Sequence, residues 1–197
     1  MKPKIYNTLT IESEFLNPGF CIYLLEIINS SKKRLFYIGM TGDNYYPSAR
    51  SAFYRMAGHL EKKKGSTQNQ FHKALKDVSA NDTLLENSFS DKDGIYLKDV
   101  IFKMHQFKVE GFKSWEYGDG FNREYMSKLA ANELDESKHY QVYRNSYNEV
   151  LDLERALISH FKDNLVNKDV RSKHETDHQK FEEMKIEIQG LIDSNTQ

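Results

Sequence analysis

The side chains best suited to chemistry lie far apart in this 197-residue sequence. Arg55 and His59 are four residues apart, which puts them one turn apart on one face if 48–65 is helical. Tyr23 and Tyr37 stand in two apolar stretches, "FCIYLLEII" and "RLFYIGMT". Glu154 falls among Val150, Leu153, Leu157, Ile158 and Phe161, a poor place for a carboxylate without a task. Guanidinium is a planar, permanently charged fork suited to phosphate oxygens. A lone tyrosine, with a reference pKa of about 10, is a poor base at neutral pH, but a neighbouring cation or second base makes it usable. Together these residue types suit hydrolysis of a phosphodiester, which needs an activated water and charge stabilisation at the five-coordinate phosphorus and the leaving oxygen.

Positioning such groups requires a definite set of elements. Residues 20–28 and 34–41 alternate or run apolar around the short polar "NSSKKR", which predicts an antiparallel hairpin carrying Tyr23 and Tyr37 on neighbouring strands. Ala49, Phe53, Met56, Ala57 and Leu60 recur at helical spacing between Ser48 and Gly65, and a short helix is expected over 67–77. One or two strands are expected in 94–109, a short helix near 122–136, a strong helix at 146–164 and a final amphipathic helix at about 176–192 through Phe181, Met184, Ile188 and Leu191. The predicted fold class is α/β (α+β), a small, mainly antiparallel three-stranded sheet flanked by helices. The divisions expected are an N-terminal extension at 1–19, the main domain at 20–168 with an aromatic insert at about 111–147, and a helical extension at 169–197.

Composition narrows the partners. Hydrophobic residues make up 39 %, with 12 Tyr and 12 Phe, which is a globular rather than a disordered composition. No apolar run approaches the roughly 20 residues of a bilayer span and the start lacks a signal-peptide pattern, so no membrane partner and an intracellular, cytoplasmic location are expected. Cys21, the single cysteine, reads as a small buried hydrophobe. The net charge is only −1, yet residues 30–76 hold ten Lys or Arg against Asp43 and Glu61. Such a local surplus hints at a phosphate-backbone contact, with Lys32, Lys33, Arg34, Arg50, Lys62, Lys63, Lys64 and Lys73 as nucleic-acid-binding candidates. The remaining histidines, including His174 and His178 of "HETDH", show no metal-ligand spacing backed by further ligands.

The order of these features resembles the GIY-YIG nuclease family. Cys21-Ile22-Tyr23 and Tyr37-Ile38-Gly39 match its two triplets, Arg55 and His59 its first-helix positions, Glu154 its metal-binding glutamate and Asn167 of "LVN" its trailing asparagine, with Asn164 a rival for that last place. Cys21 stands where the family usually has glycine. The resemblance implies a DNA endonuclease in which Tyr23 is the general base, His59 accepts or relays its proton and Tyr37 orients the water or a phosphate oxygen. Arg55 stabilises the developing charge, Glu154 holds one Mg²⁺ (or Mn²⁺) serving the leaving 3′ oxygen, and Asn167 bonds a catalytic side chain or the scissile phosphate. Gly39 is expected to leave room for a neighbouring backbone or a phosphate. A restriction-like or stand-alone enzyme is the leading expectation; a nicking repair or homing enzyme, or a catalytically silent DNA-binding protein on the same fold, is the alternative. The terminal helix is a candidate homodimer contact.

Overall fold

The computed structural model describes residues 10–29, 32–44, 49–60, 71, 101–109, 123–167 and 177–194. Three strands, β1 (Cys21–Ile28), β2 (Arg34–Met40) and β3 (Ile101–Lys108), form one antiparallel sheet in the order β2-β1-β3. Around it lie α1 (Ala52–Leu60), α2 (Arg123–Ala130), α3 (Ser137–His160) and α4 (His178–Asp193). This is the mixed three-stranded architecture expected. The predicted helix over 67–77 falls, apart from Phe71, outside the described residues, as do the 94–100 part of the third strand stretch and residues 110–122 of the insert.

Every residue of β1 is buried, as its apolar run, broken only by Glu26, requires of a central strand covered on both faces. Ile22, Leu24, Phe36, Ile38 and Met40 face a core built from Val150, Leu153, Leu157 and Ile158 of α3 and Met184 and Ile188 of α4. Cys21, Tyr23, Leu25, Ile27, Leu35 and Tyr37 face the other way, toward Ala52 of α1, Phe71 and Val166. The period-2 alternation of β2 therefore sorts Tyr37 onto the α1 face and its apolar neighbours onto the α3 face. Phe15, in a 3-10 turn at Ser13–Leu16, packs onto the α1-side cluster, so part of the 1–19 extension covers the domain.

The long helix begins at Ser137 and ends at His160, where the sequence pattern placed 146–164. The reason is visible in its first half: buried Tyr140, Tyr143 and Ser146 carry the three-and-four spacing of Val150, Leu153 and Leu157 back by three turns. Tyrosines assigned to the aromatic insert thus belong to a helical stripe. Before it, α2 stops at Ala130, six residues short of the predicted end.

α4 spans nearly the predicted range and is built into the fold. Asp177 caps its N-terminus by accepting from the Lys180 N–H at 3.1 Å, and Met184 and Ile188 are buried in the core. A dimer through this helix would have to use its outer face, where Ile186 is 66 % exposed. Arg34 closes the other end, donating to the carbonyls of Leu191 (2.7 Å), Ile192 (3.0 Å) and Ser194, groups a helix C-terminus leaves unsatisfied. The same guanidinium bonds the buried Glu26 and lies 4.8 Å over the Phe36 ring. Among the described residues no helix is long and apolar enough to cross a membrane.

Candidate functional site

The hairpin register builds the first part of the site. Tyr23 lies directly across from Gly39, and Tyr37 across from Leu25. The Tyr23 ring folds over Gly39 so closely that a Cβ at position 39 would sit 2.6 Å from Tyr23 Cε2 and overlap the hydroxyl. The glycine therefore makes room for the phenol, which corrects the expectation of room for a backbone or phosphate. The requirement is space rather than an unusual φ. Gly39→Ala is expected to cost about 1–3 kcal/mol of stability by overpacking, read as a lower urea midpoint at unchanged slope.

α1 supplies the partners. His59, 4 % exposed, places Nε2 2.7 Å from the Tyr23 hydroxyl. Its imidazole is walled in by aromatic edges, 5.9 Å from Tyr23, 5.5 Å from Tyr37 and 5.6 Å from Phe71. One turn earlier, Arg55 lies against the Tyr23 hydroxyl and within the field of Glu154. Burial opposes its charge, but Tyr23, Glu154 and Tyr37 more than offset that and hold the guanidinium firmly protonated. Among the described residues the Arg55 Nε–H is buried with no hydrogen-bond partner.

The outer edge of β2 carries the remainder. Edge strands expose unpaired N–H and C=O groups, and here Glu154 of α3 and the chain after that helix cover them. Val166 N–H donates to Phe36 O at 2.8 Å. Asn167 Oδ1 accepts from Ile38 N–H, and its Nδ2 donates to Ile38 O, both at 2.8 Å. Glu154, half-buried on α3, accepts from the Met40 N–H. Asn167 thus spends its amide on the backbone between Tyr37 and Gly39, where the sequence reading gave it a catalytic side chain or the phosphate. Its rival Asn164 is exposed in the turn after α3.

The electrostatics follow from burial. Tyr23, 1 % exposed, is pushed well above its ordinary pKa by desolvation and then by Tyr37. Tyr37 is raised by burial and by Glu154. Both phenols are therefore neutral across the physiological range. Desolvation lifts the Glu154 carboxyl to about 7 against the pull of Arg55, Arg155 and the Met40 N–H. Such a carboxylate is poorly compensated by the protein and suited to a cation.

Among the described residues no three His, Cys, Asp or Glu side chains gather into a metal cluster. Glu154 would be the carboxylate holding a divalent ion, which fits Mg²⁺ or Mn²⁺ bound by one carboxylate together with waters and phosphate oxygens.

The basic candidates scatter. Lys32 and Lys33 are exposed at the hairpin turn, Lys32 with φ of 61°. They lie four or more residues along β2 from Tyr37, about 13 Å away or farther at 3.3 Å per residue. Arg34 is committed to Glu26 and the α4 terminus, so its sequence-based role on nucleic acid is replaced by a structural one. Arg50, before α1, stacks on Tyr54 at 4.4 Å. Lys62, Lys63, Lys64 and Lys73 fall outside the described residues.

Two neighbours of the site escaped the sequence reading. Phe71, expected on the short helix over 67–77 but not as a site residue, is fully buried and closes the aromatic wall around His59; its signal was helical spacing with Ala74 and Leu75. Tyr147, seven residues before Glu154 on α3, stacks on Tyr143 at 6.3 Å under Arg144 at 5.1 Å, and its pKa is raised by burial and then by Glu154. The i, i+7 spacing from Glu154 could have flagged it. Comparisons with protein-family models, curated protein sequences and solved structures find no significant match.

Proposed function

We propose that this protein is a divalent-cation-dependent DNA endonuclease that hydrolyses phosphodiester bonds, of the GIY-YIG kind. One observation carries the reading: a buried Tyr23–His59 hydrogen bond of 2.7 Å beside a guanidinium whose Nε–H has no partner among the described residues. Packing alone gives no reason to bury an unpaired cationic donor next to a tyrosine–histidine pair, since unpaired buried polar groups cost stability. A phosphate oxygen supplies the missing acceptor.

The raised pKa of Tyr23 directs the proton path. A free phenolate is disfavoured, so Tyr23 takes the proton of the attacking water as its own phenolic proton passes to His59 Nε2. This requires the His59 tautomer protonated on Nδ1, and leaves an imidazolium rather than a buried phenolate. The water oxygen bonds to phosphorus as the P–O3′ bond breaks, and the 3′ oxygen is protonated from solvent. Arg55 donates to the non-bridging oxygens, where negative charge grows. Tyr37, neutral, donates to the water or to a phosphate oxygen. Asn167 holds the β2 edge so that Tyr37 and Gly39 keep their places. A divalent ion on Glu154 would stabilise the charge of the leaving oxygen.

The test is supercoiled plasmid with Mg²⁺, Mn²⁺ or EDTA. Nicked circles are expected with either metal and none in EDTA, and the nicks, bearing 5′-phosphate and 3′-hydroxyl ends, should be sealed by a DNA ligase. Plasmid left supercoiled with both metals sinks the reading, and DNA binding without cutting points instead to a silent binding protein on this fold.

A further inference from the structure

Three rings on the α1 face of the sheet meet as a closed triangle. The centroids of His59 and Tyr37 are 5.5 Å apart, those of His59 and Phe71 5.6 Å and those of Tyr37 and Phe71 5.3 Å, with interplanar angles of 70°, 64° and 74°. An aromatic ring has a negative face and a positive edge. Three steeply tilted rings at nearly equal spacing satisfy that polarity when each turns its edge to one neighbour and its face to the next. The imidazole edge then meets the face of an aromatic ring.

That edge is where charge arises in the proposed reaction. Nε2 of His59 lies 2.7 Å from the Tyr23 hydroxyl, and on receiving the Tyr23 proton it turns the ring into an imidazolium. A charge on a side chain only 4 % exposed is costly unless its neighbours offset it. Arg55, one turn earlier on α1 and also against the Tyr23 hydroxyl, is a second positive charge close by.

An aromatic face within about 6 Å attracts a cation, most strongly where water is excluded. Phe71 meets both conditions, being fully buried with its centroid 5.6 Å from the imidazole. It is braced on its other flank by Phe102, 5.7 Å away at 86°. Tyr37 lies as near to His59, but its hydroxyl is engaged in the proposed chemistry. Phe71 has no polar atom and acts on His59 through its ring alone.

We propose that the face of Phe71 stabilises the imidazolium formed on His59 during phosphodiester cleavage, making Phe71 a positioning residue of the proton relay. This rests on the nuclease reading and deepens it. The water proton moves to Tyr23 as the Tyr23 O–H bond breaks and an N–H bond forms at Nε2. The positive charge then spreads over the imidazole, against the Phe71 ring, while the O–P bond forms and the P–O3′ bond breaks. Phe71 exchanges neither proton nor electron. Its attraction for the neutral imidazole is weaker than for the cation, so it favours the transition state over the resting site.

The test replaces Phe71 by mono-, di- and trifluorinated phenylalanine, which drain the ring face of negative charge at nearly constant shape. Single-turnover nicking of plasmid, DNA binding by fluorescence anisotropy in EDTA and thermal unfolding are measured on wild type and each variant. The nicking rate should fall stepwise with each fluorine, by about 3- to 30-fold over the series, the range expected for a desolvated cation–π contact. DNA affinity and melting temperature should stay level. A rate independent of fluorine content overturns the inference and leaves the nuclease reading standing. So does a rate that rises with fluorine, which means the Phe71 edge rather than its face meets the imidazole. A rate that falls in step with DNA affinity or with melting temperature also overturns it, since Phe71 then serves binding or packing. Wild type that cuts no DNA with Mg²⁺ or Mn²⁺ overturns the nuclease reading, and this inference with it.

Discussion

Tyr23→Phe is expected to slow single-turnover nicking by about 10²- to 10⁴-fold, the range for loss of a general base. Phenylalanine keeps the ring over Gly39 and the edge-on contact with His59, so the packing that fixes β1 on β2 survives. What disappears is the hydroxyl that links His59 to the substrate side of the site. Losing one buried hydrogen bond costs about 1–2 kcal/mol, so the variant should fold and melt only a few degrees lower. The size of the rate effect separates chemistry from packing: a tyrosine serving only as a cross-strand partner would lose stability without a drop of this order. DNA binding in EDTA serves as the control and should be unchanged.

Glu154→Gln is expected to do two opposite things. Nicking should fall below detection, because a neutral amide holds Mg²⁺ or Mn²⁺ far more weakly than a carboxylate. Stability at pH 8 in EDTA should rise by about 1–3 kcal/mol, because a tenfold difference in proton affinity between the folded and unfolded chain is worth about 1.4 kcal/mol and solvent partly screens the half-buried carboxylate. The sign follows from the direction in which burial moves the group. The folded-state value of about 7 lies above the ordinary 4.5, so the native state binds this proton more tightly than the unfolded chain. That contribution is fully present below pH 4.5 and is lost as pH rises through about 7. Glutamine avoids the penalty while its carbonyl can still accept from the Met40 N–H. The gap between wild type and variant should therefore close by about pH 4.5. Adding Mg²⁺ at pH 8 should raise the melting temperature of wild type and leave that of the variant in place. A variant less stable than wild type at pH 8 would show that Glu154 is a satisfied structural carboxylate.

Periodicity made the strands, the start of the sheet and the amphipathic helices legible, because burial of one face dictates the spacing of apolar residues. It failed at the front half of α3, where tyrosines do the packing, and could not see that Asn167 lies beside Ile38, since that contact joins residues 129 apart. Gly39 was legible as a special position; the phenol that requires it followed only from the register. The run of positive charge dissolved for a related reason. Charge along a chain says nothing about which face each side chain meets, and Arg34 turned inward to the buried Glu26. Arg55, His59, Tyr23, Tyr37 and Glu154, chosen from residue type, order along the chain and a family resemblance, do fall within one electrostatic neighbourhood across β1, β2, α1 and α3.

Whether that neighbourhood is a hydrolytic centre is tested most directly by one comparison: single-turnover nicking of supercoiled plasmid in Mg²⁺ by wild type and by Tyr23→Phe, Arg55→Ala and Glu154→Gln, at enzyme concentrations that saturate the DNA. The account predicts cutting by wild type and a loss of at least about 10²-fold in each variant. Uncut plasmid with wild type, or variants that cut as fast as it does, would contradict it.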